Sequence, residues 1–210
     1  FSFLKFIKTK KSFWIFFSAV FFSLSFYTYQ SLKVFSPLLI VSLGLIFRRQ
    51  LWQAKKQVIL AFLLSLFLLW PIFKASLAPE ALIRFQATSV FHQVAGEKPI
   101  KIIFQSYFSH FKAKWLFFNG GAEDHKVPGL GLFYLWEWPL LIFGLYQLIK
   151  SKLSRQIKLF FLVWLLISPL AASFTTGAPH AMRAFNVLPL PQILITLGLV
   201  AVWQKDRFPF

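Results

Sequence analysis

The 210-residue sequence predicts an all-α protein, a polytopic transmembrane helical bundle of about six spans with amphipathic interfacial helices in one long outer loop. Three observations lead there. Apolar residues make up 58% of the chain and charged residues 14%, where a soluble domain carries roughly 25% charged residues. The charges cluster between long apolar runs, and the mean hydropathy is +0.66. The basic residues also alternate between successive connections, as the positive-inside rule requires of a membrane protein.

The apolar runs cover 13–29, 31–47, 57–73, 128–149, 159–174 and 185–203. A span takes about 20 apolar residues, with a range of about 17–25. The shorter runs therefore rely on flanking side chains that snorkel. Lys5, Lys8, Lys10 and Lys11 precede the first run, and Arg48, Arg49, Lys55 and Lys56 separate the second from the third. Lys150, Lys152, Arg155 and Lys158 separate the fourth from the fifth, and Lys205 and Arg207 follow the sixth. With six crossings these fourteen of the 23 basic residues share one side. The expected location is therefore the inner (cytoplasmic) membrane of a cell, with both ends of this chain cytoplasmic. This placement accounts for much of the net charge of +17, so no nucleic-acid partner is expected.

The opposite side is expected to differ chemically. It receives all four histidines, His92, His110, His125 and His180, and five of the six acids, Glu80, Glu97, Glu123, Asp124 and Glu137. It also receives the long connection, about 74–128. There Pro79-Glu80 suits a helix first turn, followed by Ile83, Ala87, Val90, Phe91 and Val94 at helical spacing. A second stripe runs through Ile103, Phe104, Tyr107, Phe108, Phe111 and Trp115. Both stripes predict amphipathic helices at the outer membrane surface, and "NGGAEDHKVPGLG" predicts a turn-rich return to the membrane.

The absence of cysteine excludes disulfides and thiolate chemistry. No ligand spacing argues for a metal, and no cofactor is expected. Met182 is the single methionine, and "FSFLKFIKTKKSF" is not a signal peptide because its lysines follow apolar residues. The expectation is one transmembrane domain over 1–210, a piece of a longer chain.

Several polar residues stand out against this background. Between Lys33 and Arg48 a helix measures about 21 Å, less than the roughly 30 Å hydrocarbon core. Lys33 must either snorkel outward or occupy a polar pocket, with Tyr27, Tyr29 and Gln30 beside it. Glu123, Asp124 and His125 are consecutive, so on any regular element they diverge; His125 and Lys126 are the better site candidates. Glu137 interrupts an apolar run between two tryptophans, either as an intramembrane carboxylate with a partner or at the interface. "APHAMRAF" holds His180 and Arg183 three residues apart, on one face if the segment is helical. Arg183 would begin the sixth span at the level of lipid phosphates. There a guanidinium grips phosphate oxygens bidentately or simply snorkels.

"YTYQSLKVFSPLLIV", "HKVPGLGLFYLWEWPLLIFGLY" and "APHAMRAFNVLPLPQIL", in this order, resemble the later membrane half of bacterial polyprenyl-phosphate-sugar glycosyltransferases of the GT-C superfamily. The branch is that of protein O-mannosyltransferases and aminoarabinose lipid A transferases, the glycosyltransferase 39 type. The resemblance covers nearly the whole chain and is strongest at 122–135 and 178–189. It implies transfer of a sugar from a polyprenyl phosphate to a glycan, lipid or protein acceptor at the outer face of the membrane. It also implies an aspartate base in the first outer loop and basic residues that stabilise the departing phosphate. On that reading Lys33, Arg84, His125, His180 and Arg183 contact the phosphate, and Tyr29 lines the lipid-sugar pocket. The chain departs from the family because its first outer connection, "YTYQSLK", has no carboxylate. The base is expected upstream, and Asp124 stands at the wrong place in the order of spans. The competing reading is a transporter or flippase-like protein for an anionic lipid or solute, which would set its polar groups near the midplane.

Overall fold

A computed structural model describes residues 1–93, 98–118, 127 and 129–207, with the side chains of 82, 84, 85, 92, 93 and 205–207 excepted. The described residues are helical and include no β-strand. They form two compact units, 1–93 and 94–210.

The first unit begins with α1 (Ser2–Thr9), a short helix that the apolar runs did not announce. Phe3, Phe6 and Ile7 share one face of it. Phe6 is fully buried in a cluster with Ile15, Ala19 and Ala61, against which Phe3, Ile7, Trp14, Leu51 and Leu64 pack. Lys10 closes the helix in the left-handed region, φ 58°. Lys5 extends over the Trp14 ring, 4.4 Å from its centroid.

α2 (Ser12–Thr28) and α3 (Leu32–Ile46) follow, joined by a turn at Tyr29. They touch through Ser25 and the buried Ser36, whose hydroxyls lie 2.8 Å apart. Hydroxyl pairs of this kind hold helices together where water is absent. The short α4 (Arg48–Gln53) carries Arg48 and Arg49 at the surface.

α5 (Lys55–Ser76) is the longest helix of the described residues. Pro71 lacks the N–H that would bond Phe67 O. Tyr27 donates its hydroxyl to the adjacent Leu68 carbonyl. Beyond α5 lie α6 (Pro79–Thr88) and α7 (Val90–Gln93).

The second unit contains α8 (Pro99–Ser109), a π-helical turn at Lys114–Phe118, α9 (Glu137–Lys150) and α10 (Arg155–Ile167). It continues with α11 (Leu170–Ser173), a 3-10 turn at Phe185–Val187 and α12 (Leu190–Arg207). α9 and α12 cross backbone to backbone at two glycines. A Cβ on Gly144 would fall on the Leu194 carbonyl, and one on Gly198 on the Leu140 carbonyl. Small residues at a crossing let helices approach closely where no aqueous hydrophobic effect drives them together. Beside the crossing, Leu148, Leu190 and Leu194 form a buried cluster covered by Leu141, Phe161, Trp164, Leu165 and Leu197. Trp164 Nε1–H donates to Asn186 O at 2.8 Å and so ties the 3-10 turn to α10.

Among the described residues two helical stretches are long and apolar enough to cross a membrane, Lys55–Ser76 with 22 residues and Arg155–Ser173, α10 continued by α11, with 19. Ser12–Thr28, Leu32–Ile46 and Leu190–Gln204 are apolar but shorter. The apolar runs thus mark helices, although two boundaries differ from expectation. The run from 128 becomes helical only at Glu137. Gly129 adopts φ 79°. Gly131 lies so close to the chain at Leu116 and Phe117 that a Cβ would stand 2.5 Å from the Phe117 carbonyl carbon. The run from 185 becomes a regular helix only at Leu190, after the 3-10 turn and Pro189.

Candidate functional site

In the first unit the residue to place is Lys33. It sits in the first turn of α3, half-buried, and its Nζ donates to Ser76 Oγ at 3.2 Å. Ser76 is the last residue of α5, and its hydroxyl donates to Ile72 O at 2.7 Å. An ammonium there lies beside helix-end carbonyls, where the backbone dipoles favour positive charge. Lys33 therefore meets one neutral hydroxyl and a helix C-terminus. Tyr29 caps α2 in an extended conformation, its ring partly exposed. Arg84 lies on α6, with its side chain outside the described residues, and His125 lies outside them altogether, as do Glu123, Asp124 and Lys126.

The second unit organises the segment around His180 and Arg183. The segment is a turn rather than the first turn of α12, which corrects the expected shared helical face. Gly177 adopts φ 76°, the Ala178–Pro179 and Leu188–Pro189 peptides are cis, and α12 starts seven residues after Arg183. Arg183 closes the turn from within. Its Nη1 donates to Thr175 Oγ1 at 2.8 Å and to Thr176 O at 2.7 Å. Thr175 Oγ1 in turn donates to Ala172 O at 2.8 Å. The cation is thereby linked to the C-terminal end of α11, a favourable end for it. One edge of the guanidinium is anchored. Its Nε and Nη2 hydrogens make no hydrogen bond among the described residues.

His180 is held by its main chain. Its N–H donates to His110 Nε2 at 3.2 Å, and its carbonyl accepts from Ala184 N. His110 follows α8, is 4% exposed, and packs edge-on to Trp115 at 5.3 Å. Its Nδ1 lies 2.7 Å from Ser106 O. A carbonyl can only accept and an amide N–H can only donate. The pair of bonds therefore requires hydrogen on Nδ1 and a lone pair on Nε2, the neutral imidazole. The sequence reading placed His110 on the outer side without giving it a role. No local signal marked it, because its partners are the main-chain carbonyl of Ser106 and the main-chain amide of His180. Tyr107 donates to Leu166 O at 2.9 Å, and burial pushes its phenol up from the ordinary value of 10.0.

Glu137 resolves into a local role. Its Oε2 accepts from Tyr134 N at 2.8 Å, which satisfies an amide at the entry to α9. A carboxylate at a helix N-terminus also complements the helix dipole.

Comparisons with protein-family models, curated proteins and solved structures found no match for the chain.

Proposed function

We propose that the chain is the later membrane part of an integral membrane glycosyltransferase that uses a polyprenyl-phosphate sugar at the outer face of the cytoplasmic membrane. The proposal includes six spans, α8 lying along the outer surface and both ends of the chain on the cytoplasmic side. Two helices of spanning length and the positive-inside distribution support the membrane reading. The motif resemblance supports the chemistry.

The observation that carries the reading is the half-anchored Arg183. Two bonds from Nη1 to Thr175 and Thr176 fix the plane of the guanidinium. The remaining N–H edge has the fork geometry that suits phosphate oxygens. In the transfer step a base removes the acceptor proton, the acceptor oxygen attacks the anomeric carbon, and the bond to phosphate oxygen breaks. Charge builds on that oxygen, and a cation already oriented stabilises it without reorganising. Lys33, Arg84, His125 and His180 are further candidate phosphate contacts, and Tyr29 a candidate for the lipid-sugar pocket. The resemblance implies an aspartate base in a first outer loop, and no residue of 1–210 is assigned to that role.

The test is sugar transfer from a labelled polyprenyl-phosphate sugar in membranes holding the full-length parent protein. Arg183→Ala is expected to lose about 10²–10³-fold in kcat, with Arg183→Lys recovering part of it. Wild-type transfer by Arg183→Ala at normal expression would reduce Arg183 to a clasp for its own turn. Absence of transfer from any such donor, with binding of an anionic lipid retained, would favour the transporter reading.

A further inference from the structure

We infer that α8 is an anionic-lipid-selective surface element. This rests on the proposal that α8 lies along the membrane, and adds which lipid it prefers. Ile100, Phe104 and Phe108 follow at i, i+4 and i+8, and are 68%, 61% and 58% exposed. The Phe104 and Phe108 rings stack, 6.4 Å apart and 25° from parallel. One flank and the back of the helix are already occupied, because Tyr107, beside the ridge, bonds Leu166 O and Ser109, behind it, is buried with the adjoining His110. The aromatic ridge is therefore not the face that packs on the unit.

Charge identifies the occupant. Lys98, Lys101, Lys112 and Lys114 are all exposed, and the sequence from 98 to 118 holds no acidic residue. At about 100° per residue, Lys101 stands about 60° to one side of Phe104 and Tyr107 about 60° to the other. The ridge is thus bordered by Lys101 on one side and by Tyr107 on the other, with Lys98, Lys112 and Lys114 beyond the two ends of the helix. An aromatic ridge at acyl-chain depth with lysines at headgroup height is the arrangement of an interfacial helix on an anionic surface. A protein groove would need acids to meet the same lysines and a cavity to receive the stacked rings.

The absence of native cysteine permits single spin labels on the full chain. Phe104→Cys, Phe108→Cys and, as a rim control, Gln105→Cys are labelled in nanodiscs of phosphatidylcholine with or without phosphatidylglycerol. Collisions with oxygen and with a nickel chelate report depth. The expected result is that labels at 104 and 108 are oxygen-rich and nickel-poor when phosphatidylglycerol is present, while the label at 105 stays nickel-accessible. A lysine near an anionic surface is worth a factor of about five. The pair Lys101→Gln and Lys112→Gln is then expected to lower the docked-to-undocked ratio about 25-fold, with high salt acting in the same direction on the unaltered lysines. Labels at 104 and 108 as nickel-accessible as 105 in both discs would overturn the inference together with the surface placement of α8. Labels immersed equally in both discs and indifferent to the lysines would overturn the anionic preference and leave the placement standing. Labels shielded from both reagents would overturn the inference in favour of a protein partner.

Discussion

Gly144→Ala offers a direct test of the α9–α12 crossing, with Gly44→Ala as its reference. Both substitutions add one methyl inside an apolar helix and gain the same intrinsic helix propensity, about 1 kcal/mol. Their surroundings differ. A Cβ at Gly44 meets nothing within 4 Å, whereas one at Gly144 stands 2.6 Å from Leu194 C and 3.2 Å from Gly198 N. Ordinary contact begins at 3.4 Å, and the Leu194 carbonyl oxygen lies nearer still than its carbon, so the helices must part by more than about 1 Å. The obstacle is backbone, which cannot rotate away as a side chain would. A gap of even about 1 Å forfeits about half of each dispersion contact across the seam, and overpacking costs about 1–3 kcal/mol. With propensity common to both, Gly144→Ala is expected to be less stable than Gly44→Ala by about 1–3 kcal/mol. Equilibrium unfolding in mixed detergent micelles, followed by tryptophan fluorescence, measures the difference. Gly198→Ala opens the same seam, so the double variant is expected to cost less than the sum of the two. Equal shifts for Gly144→Ala and Gly44→Ala would refute the close crossing.

His110→Ala removes the acceptor for His180 N–H and is expected to cost about 1–3 kcal/mol, read in the same micelle titration; an unchanged midpoint would contradict the bond. Tyr107→Phe is expected to cost about 0.5–1.5 kcal/mol near neutral pH through the lost bond to Leu166 O. Because burial raises the Tyr107 phenol, its contribution is present in full below the ordinary value of 10.0 and drains as pH rises above it. Stability of Tyr107→Phe should then fall less steeply in that window, and parallel pH curves would contradict the buried phenol. Ser76→Ala removes the hydroxyl that Lys33 meets. It is expected to change stability by no more than about 1 kcal/mol, because a half-exposed ammonium rehydrates; a much larger loss would point to a sealed pocket.

The helices were legible where an apolar run was unbroken. The run 57–73 lies within α5 and needed no tertiary knowledge. α1 was obscured because Lys5, Lys8 and Lys10 read as flanking charge, although Phe3, Phe6 and Ile7 repeat at helical spacing. The late start of α9 was hidden by composition, since "GLGLFYLW" is as apolar as a span. What stops the helix there is the positive φ of Gly129 and the contact of Gly131 with the chain near Phe117, both tertiary facts. Arg183 was legible as a residue of note, and its environment was not. Its acceptors sit seven and eight residues back on a folded turn, where a helix-based reading looks three or four away. The Lys33–Ser76 bond joins residues 43 apart and leaves no local trace.

The bond from His180 to His110 joins residues 70 positions apart. Ribosomes add roughly 5–20 residues per second, so after His110 is made its acceptor waits about 4–14 s for the amide that will satisfy it. The turn carrying Arg183 is thus finished late, and its shape depends on a histidine that must be carried intact through most of the synthesis of its unit.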